Sequence, residues 1–114
     1  MRERGEVWLA NLNPHRGTEP GKRRPVLIVQ APALLDAGHP STMVIPLTTK
    51  LIDDTEPLRI RVPAQGSIRR DSDLLLDQLR AIDNSRLVEG PLARLGEAAM
   101  ERVAAAIREV LDLA

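Results

Sequence analysis

The chain has 114 residues, a length typical of one domain, and 43% of them are hydrophobic, which excludes an intrinsically disordered protein. It contains no cysteine, which excludes disulfide bonds and thiolate chemistry. The net charge is zero, but residues 1–70 carry 11 basic and 7 acidic side chains, whereas residues 71–114 carry 5 and 9. We expect one domain over residues 1–114. Either its first half attracts a partner that carries phosphates, or the asymmetry is scatter without function.

The sequence also indicates where the protein works. No apolar run approaches the ~20 residues that a membrane-spanning helix requires. The N-terminal sequence MRERGEVW has early charge but lacks the apolar stretch of a signal peptide. We therefore expect a cytoplasmic protein that does not bind a membrane.

Apolar runs and two-residue alternation predict five strands, at residues 5–12, 25–30, 42–48, 57–62 and 73–82. The fourth strand shows the clearest alternation, with Leu58, Ile60 and Val62 on one face. Arg59 and Arg61 fall on the other face, where we expect them to be merely polar residues on an exposed strand. The leucines of the fifth run are equally compatible with a helix.

The clearest element is a helix near the end of the chain. From residue 97, apolar residues recur at spacings of three and four: Met100, Val103, Ala104, Ile107, Val110 and Leu111. This pattern predicts an amphipathic helix of about 16 residues. We also expect loops at 13–21 and 31–41 and one helical turn at 84–86. Strands followed by a helix indicate an α+β domain, mainly β, whose sheet curls into a small barrel with the helix along one side.

Several kinds of functional site lack the residues they need. His15 and His39 are the only histidines, both fall in predicted loops, and neither has the spacing of a metal ligand. The chain has no GxGxxG motif and no P-loop, so a nucleotide cofactor has no recognisable binding loop. We therefore expect no metal site and no cofactor, with either a metal-free activity or none.

Three adjacent cations precede the second predicted strand, and a hydroxyl ends the third. Lys22, Arg23 and Arg24 come directly before Pro25, and Thr48 closes the apolar run of residues 42–48. If these strands are neighbours, Arg24 and Thr48 converge at one edge of the barrel. A guanidinium and a hydroxyl can both donate hydrogen bonds to phosphate oxygens. Without other information, a surface ion pair and a strand-end cap remain the commoner explanation.

Four segments together resemble one protein family. RGEVWLANLNPHRGTEPGKRRPVLIV at residues 4–29, VIPLTT at 44–49 and RDSDLLLDQLRAIDNSRL at 70–87 are similar to the signature segments of MazF/PemK (Kid)-type toxins. The C-terminal helix is similar to the helix that ends members of that family. These toxins are the ribonuclease halves of bacterial toxin–antitoxin pairs. The resemblance covers almost the whole chain, with the segments in order and at the expected spacing.

The resemblance implies a small SH3-like (PemK-like) antiparallel β-barrel that forms a homodimer. It implies sequence-specific, metal-independent cleavage of single-stranded RNA, which leaves a 2′,3′-cyclic phosphate and a 5′-hydroxyl. The family's catalytic arginine and hydroxyl fall on Arg24 and Thr48. The positions to which we assign RNA contacts are Glu19, Thr18, Lys22, Arg23, Asp77 and Gln78. The expected protein partner is a cognate antitoxin whose disordered C-terminal segment lies in the RNA groove.

The chemistry of such a cleavage suits an arginine beside a hydroxyl. A ribose 2′-OH attacks the adjacent phosphorus, and negative charge builds on the nonbridging oxygens, where Arg24 and Thr48 would stabilise it. Some relatives use a loop histidine for proton transfer, but Thr18 stands at that position here, which disfavours a histidine mechanism. Glu19 is left with two roles, accepting a proton or contacting a base.

Two other functions stay open from the sequence. One is a non-catalytic toxin of the same fold that acts on DNA gyrase, although such relatives lack the arginine and the hydroxyl that Arg24 and Thr48 supply. The other is a barrel that binds RNA without turnover. Cleavage of RNA would separate the enzyme from both.

Overall fold

The computed structural model describes residues 2–13, 17–18 and 22–114. Within these ranges the chain forms seven strands and two α-helices. In chain order they are β1 (Glu6–Asn11), β2 (Arg23–Ile28), α1 (Pro32–Asp36), β3 (Ser41–Thr48), β4 (Arg59–Val62), β5 (Ser72–Leu75), β6 (Arg80–Asp83), β7 (Leu87–Arg94) and α2 (Glu97–Val110). Single 3₁₀ turns, Leu76–Gln78 and Asn84–Arg86, flank β6, and the second of them lies where the sequence predicts a helical turn.

The strands form one antiparallel sheet in the order β4-β5-β3-β2-β1-β7. Strand β3 is central, because it pairs with β2 along one edge and with β6 and then β5 along the other. The β4–β5 connection folds back onto β7, where the Ser67 N–H donates to the Leu92 carbonyl at 2.7 Å. The sheet is therefore barrel-like without being fully closed, and the predicted α+β, mainly β class with a C-terminal helix is confirmed.

The two faces of the sheet carry separate apolar clusters because strand residues alternate between them. In β2, Leu27 belongs to the larger cluster, whereas Val26 and Ile28 belong to the smaller one. Helix α2 covers the larger cluster and buries Val103 and Ala106 against it. The predicted amphipathic helix is confirmed, and it is slightly shorter than expected, at 14 residues.

The prediction of one continuous strand at 73–82 is wrong. The structure divides this run into β5 and β6 with the Leu76–Gln78 turn between them. Leu76 is buried in the larger cluster, and its N–H donates to the Leu58 carbonyl at 3.0 Å. Burial of this one side chain turns the backbone inward, so β5 and β6 pair with different parts of β3.

Two elements differ from the sequence-based expectation. Helix α1 occupies part of the predicted loop 31–41 and begins with Pro32, a residue that suits the first turn of a helix. Strand β7 pairs with β1 although it contains Gly90 and Pro91, which disfavour regular strands. No helix in the described ranges is long and apolar enough to cross a membrane.

Candidate active site

Arg24 and Thr48 approach each other because of the β2–β3 register. Val26 pairs with Pro46 in this antiparallel ladder, and Ile28 pairs with Val44. Continuing the same register by two residues puts Arg24 opposite Thr48. Opposed residues in a ladder project to the same face, so this register brings the two side chains together.

Both residues line one cavity of about 230 Å³. Its lining combines the stretch that enters β2 with the ends of two other strands: Lys22, Arg23, Arg24, Pro25, Leu47, Thr48, Thr49 and Ser72. The lining thus combines three cations with three hydroxyl-bearing residues. That combination suits a phosphodiester, because guanidinium and ammonium groups neutralise its charge while hydroxyls donate further hydrogen bonds.

Thr48 is held in a defined orientation at the end of β3. Thr48 is 7% exposed, and its Oγ1 accepts a hydrogen bond from the Lys50 N–H at 3.2 Å. A threonine hydroxyl has one hydrogen to donate and two lone pairs that accept. The Lys50 N–H fills one of these lone pairs and does not use the hydroxyl hydrogen, which Thr48 can donate to another acceptor.

The stretch that leads into β2 is fastened at Lys22. The Lys22 N–H donates to Asn13 Oδ1 at 2.6 Å, and its carbonyl accepts from the Leu12 N–H at 2.8 Å. Its φ of +64° is a left-handed conformation that costs a non-glycine residue roughly 1–2 kcal/mol, so these contacts hold it in place. Lys22 and Arg23 are exposed, and Arg24 is half-buried.

The other residues predicted to contact RNA do not line this cavity or lie outside the described residues. Asp77 is exposed and Gln78 half-buried on the 3₁₀ turn between β5 and β6, and neither lines the cavity of Arg24 and Thr48. Thr18 is exposed in a turn, and Glu19 lies outside the described residues. Among the residues that the structure describes, no group of three or more His, Asp or Glu side chains is arranged to hold a metal ion.

Sequence reasoning missed Asp73, which pairs with Thr48 in the β3–β5 ladder. Its side chain is 1% exposed and accepts hydrogen bonds from Arg61 Nε at 2.6 Å and from Arg59 Nη1 at 3.2 Å. The expectation that these two arginines are merely polar is therefore wrong. One sequence signal could have found this network: an aspartate lies inside an apolar strand, and another strand reads Arg-Ile-Arg. A buried carboxylate needs paired donors, and those arginines can supply them.

The partners of Asp73 keep its carboxylate charged. Burial raises the pKa of Asp73, but hydrogen bonds from Arg61, the Ile52 N–H and Arg59 outweigh burial and hold the pKa below its ordinary value. Hydrogen bonds to Asp73 and Asp53 raise the pKa of Arg61. The group is thus a buried ion-pair network in which each charge depends on its partners.

Sequence comparisons connect nearly the whole chain to one family. The model of the family described as "PemK-like, MazF-like toxin of type II toxin-antitoxin system" matches residues 3–111. The chain is similar to endoribonuclease EndoA of Bacillus subtilis, with 33% identity over 115 residues that cover 97% of this chain and 95% of the relative. It is similar to endoribonuclease MazF of Staphylococcus saprophyticus, with 34% identity over 117 residues that cover 99% and 93%.

Solved structures share the fold. A crystal structure of MazF from Deinococcus radiodurans matches with a TM-score of 0.81 and 22% identity, covering 98% of this chain and 97% of that one. An endoribonuclease in complex with its cognate antitoxin, from mycobacterial species, matches with a TM-score of 0.78 and 19% identity, covering 100% and 98%. At such identities the likeness concerns the fold alone, and it agrees with the barrel-like sheet and terminal helix.

Proposed function

The chain belongs to the PemK-like, MazF-like toxins of type II toxin–antitoxin systems, and on that premise we propose that it is an endoribonuclease that cleaves single-stranded RNA at specific sequences. Two relatives that match it over nearly their whole length, at 33% and 34% identity, are named endoribonucleases. The structural observation that carries the proposal is the placement of Arg24 and Thr48 on one cavity, beside two further cations.

In the proposed reaction the ribose 2′-oxygen forms a bond to phosphorus and the bond from phosphorus to the 5′-oxygen breaks. The proton of the 2′-hydroxyl is removed, and the departing 5′-oxygen gains one. The products are a 2′,3′-cyclic phosphate and a 5′-hydroxyl. The Arg24 guanidinium and the Thr48 hydroxyl donate to the nonbridging oxygens, where negative charge develops in the transition state. This stabilisation comes from protein groups, and we propose that it requires no metal.

Arg24 is a poor general base, because an arginine side chain stays protonated at all ordinary pH values. It can instead donate toward the departing 5′-oxygen. We assign Lys22 and Arg23 to the phosphates on either side of the scissile one, since both are exposed cations on the same cavity. We assign Thr18, Asp77 and Gln78 to further RNA contacts, with Gln78 reading a base edge, and Glu19 either to a base contact or to accepting a proton.

We propose that the active form is a homodimer in the cytoplasm, inhibited by a cognate antitoxin. The mycobacterial relative described above was solved in complex with its cognate antitoxin, and MazE–MazF complexes from Deinococcus radiodurans share this fold. A disordered antitoxin segment with carboxylates would bind the cations of the cavity as phosphates do, and it would fold as it binds.

The function is tested with purified protein, EDTA and end-labelled single-stranded RNA of mixed sequence. We expect fragments cut at one recurring sequence, with cyclic phosphate at one end and a 5′-hydroxyl that a kinase labels without prior phosphatase treatment. The matched control is the same oligonucleotide with a single 2′-deoxy residue at the cleavage site, which must stay intact. RNA that is bound but uncut would support a binding protein instead, and trapped gyrase–DNA complexes would support a gyrase toxin.

A further inference from the structure

A buried charge network lies beside Thr48, on the neighbouring strands β5 and β4. Asp73, the ladder partner of Thr48, accepts hydrogen bonds from Arg61 Nε, from Arg59 Nη1 and from the Ile52 N–H, the last at 3.0 Å. It does not line the cavity that Thr48 and Arg24 share. Asp73, Arg59 and Arg61 together are called the polar clamp below.

The polar clamp reaches the Thr48 hydroxyl through one residue. Arg59 Nη1 donates to the Lys50 carbonyl at 2.8 Å, and the Lys50 N–H donates to Thr48 Oγ1 at 3.2 Å. Lys50 is therefore held at its carbonyl by the clamp while its N–H occupies one lone pair of the hydroxyl. The direction in which Thr48 donates its own hydrogen depends on where Lys50 is held.

The segment after Thr48, residues 49–53, is held by polar contacts and very little by burial. Every residue in it is exposed, including the large apolar side chains of Leu51 at 43% and Ile52 at 52%. The clamp binds the segment at three points: the Lys50 carbonyl, the Ile52 N–H and the Asp53 carboxylate, the last by Arg61 Nη2 at 2.8 Å. Since few apolar contacts restrain it, the segment loses its position when these bonds are lost.

The backbone that carries the cations assigned to RNA binding is held by contacts other than those of the polar clamp. Lys22, Arg23 and Arg24 lie at the start of β2, which pairs with the opposite edge of β3 from β5. The Lys22 backbone is fastened to Asn13 and Leu12 instead. Loss of the clamp should therefore slow the chemical step, in which the Thr48 hydroxyl takes part, and leave RNA binding intact.

We propose that Asp73 is a positioning residue for RNA cleavage: through Arg59 and Arg61 it fixes residues 49–53 so that the Thr48 hydroxyl points at the scissile phosphate. This role rests on the proposed function. It differs from a purely structural ion pair because it predicts a specific kinetic defect. A displacement of about 1 Å in a catalytic group costs on the order of 10²-fold in rate.

The first test uses Asp73→Asn, which keeps the shape of the side chain but loses the charge and part of its accepting capacity. We expect kcat to fall about 10²-fold at unchanged KM. We also expect amide hydrogen exchange at Lys50 and Ile52 to quicken relative to exchange at Leu27 in the core. Wild-type kcat, or a defect confined to KM, would overturn the proposal.

The second test leaves the buried Asp73 carboxylate and its Arg61 partner in place, and melting temperatures verify that each variant is folded. Arg59→Gln removes the bond to Lys50 and leaves the Arg61–Asp73 pair, and it should reproduce the kcat defect and the faster exchange at Lys50. The matched control is Arg102→Gln. Arg59 and Arg102 both line a second cavity, on the outer side of the clamp. Among the described residues Arg102 pairs with the exposed Glu56, at 2.7 Å, and not with the clamp, so its loss should change neither readout. An Arg59→Gln enzyme as fast as the control would contradict the proposal.

The third test separates positioning from stability. Buried ion networks can often be replaced by apolar residues at little cost in stability, so Arg59→Met with Arg61→Met and Asp73→Leu should restore melting temperature relative to Asp73→Asn. It should not restore kcat. A triple variant that cleaves at the wild-type rate shows that the clamp only supports the fold. If the wild-type protein cuts no RNA, the proposed function fails, while exchange at Lys50 still reports whether the clamp holds the segment.

Discussion

Two buried carboxylates lie at opposite ends of the sheet and hold different parts of the molecule. Glu6 is 4% exposed and accepts from the Glu3 N–H at 2.8 Å, Trp8 Nε1 at 3.1 Å and Arg94 Nη2 at 2.9 Å. Asp73 is 1% exposed and likewise accepts from one backbone N–H and from arginine side chains. The two sites use nearly the same set of donors.

The difference lies in what their donors are attached to. Glu6 is four residues along β1 from Ala10, the ladder partner of Arg24, and none of the three donors to Glu6 lines the cavity of Arg24 and Thr48. The donors to Asp73 also hold the segment that follows Thr48. A buried carboxylate therefore stabilises the fold at one end of the sheet, and at the other end we assign it a part in the reaction as well.

The largest effects should come from the cavity itself. Arg24→Ala and Thr48→Val each remove one donor to the developing charge and should lower the single-turnover cleavage rate by about 10²–10³-fold. Arg69→Ala, an exposed arginine in the β4–β5 connection, is the matched control and should cleave normally. Melting temperatures verify that each variant is folded. Normal rates in both cavity variants would show that the site is elsewhere.

A matched pair of amide variants tests whether Asp73 and Glu6 differ in their effect on cleavage. Asp73→Asn and Glu6→Gln each leave buried donors without a charged acceptor, so each should lower the free energy of unfolding by about 1–3 kcal/mol. Only Asp73→Asn should also lower kcat, by about 10²-fold. Urea unfolding and cleavage kinetics on the same preparations measure both quantities. Equal kinetic defects in the two variants would show that Asp73 has no specific part in cleavage.

A substitution of Gly90, which lies against Trp8 near Glu6, should affect stability alone. A Cβ at Gly90 would lie 2.4 Å from Trp8 Cδ2, so Gly90→Ala forces the indole to move and should cost about 1–3 kcal/mol of unfolding free energy. Gly96→Ala meets no atom within 4 Å and serves as the steric control; because Gly96 is the N-cap of α2, where alanine is disfavoured, its loss should be about 0.5–1 kcal/mol. Cleavage below the melting temperature should be normal in both, and a slower Gly90→Ala enzyme would show that the two ends are coupled.

The smallest expected effect is a pH dependence of stability from Asp73. Its folded-state pKa lies below its ordinary value, so its contribution to stability is complete above about pH 5, where the carboxylate is ionised even in the unfolded chain. That contribution is lost as pH falls further, because protonation removes the charge that faces Arg61, Arg59 and the Ile52 N–H. Asp53, which also faces Arg61, is unchanged in Asp73→Asn. The difference in unfolding free energy between wild type and Asp73→Asn should shrink below about pH 5, and a constant difference would contradict this assignment.

The fold was largely predictable from sequence because its strongest elements have strong patterns. The apolar run of β2 and the three-and-four spacing of α2 each match one kind of element. β7 escaped prediction because Gly90 and Pro91 read as a turn, although the strand pairs with β1 on both sides of them. The turn at Leu76–Gln78 that separates β5 from β6 depends on which leucine of this run is buried in the core. Local periodicity does not determine which leucine that is.

The candidate site was predictable only in part. Arg24 and Thr48 were identified from motifs within single segments, but their approach depends on the pairing of β2 with β3. The polar clamp was missed because its bonds join residues 8 to 21 positions apart in different strands and a loop. Alternating arginines look the same in sequence whether they face water or a buried aspartate.

The central claim is that Arg24 and Thr48 act on the same phosphate. The most direct measurement is a crystal structure of the protein with an RNA oligonucleotide of the mapped cleavage sequence, made uncleavable by a 2′-deoxy residue at the scissile position. We expect the Arg24 guanidinium and Thr48 Oγ1 to lie within about 3.2 Å of oxygens on that one phosphate. A scissile phosphate bound away from either side chain would contradict the account.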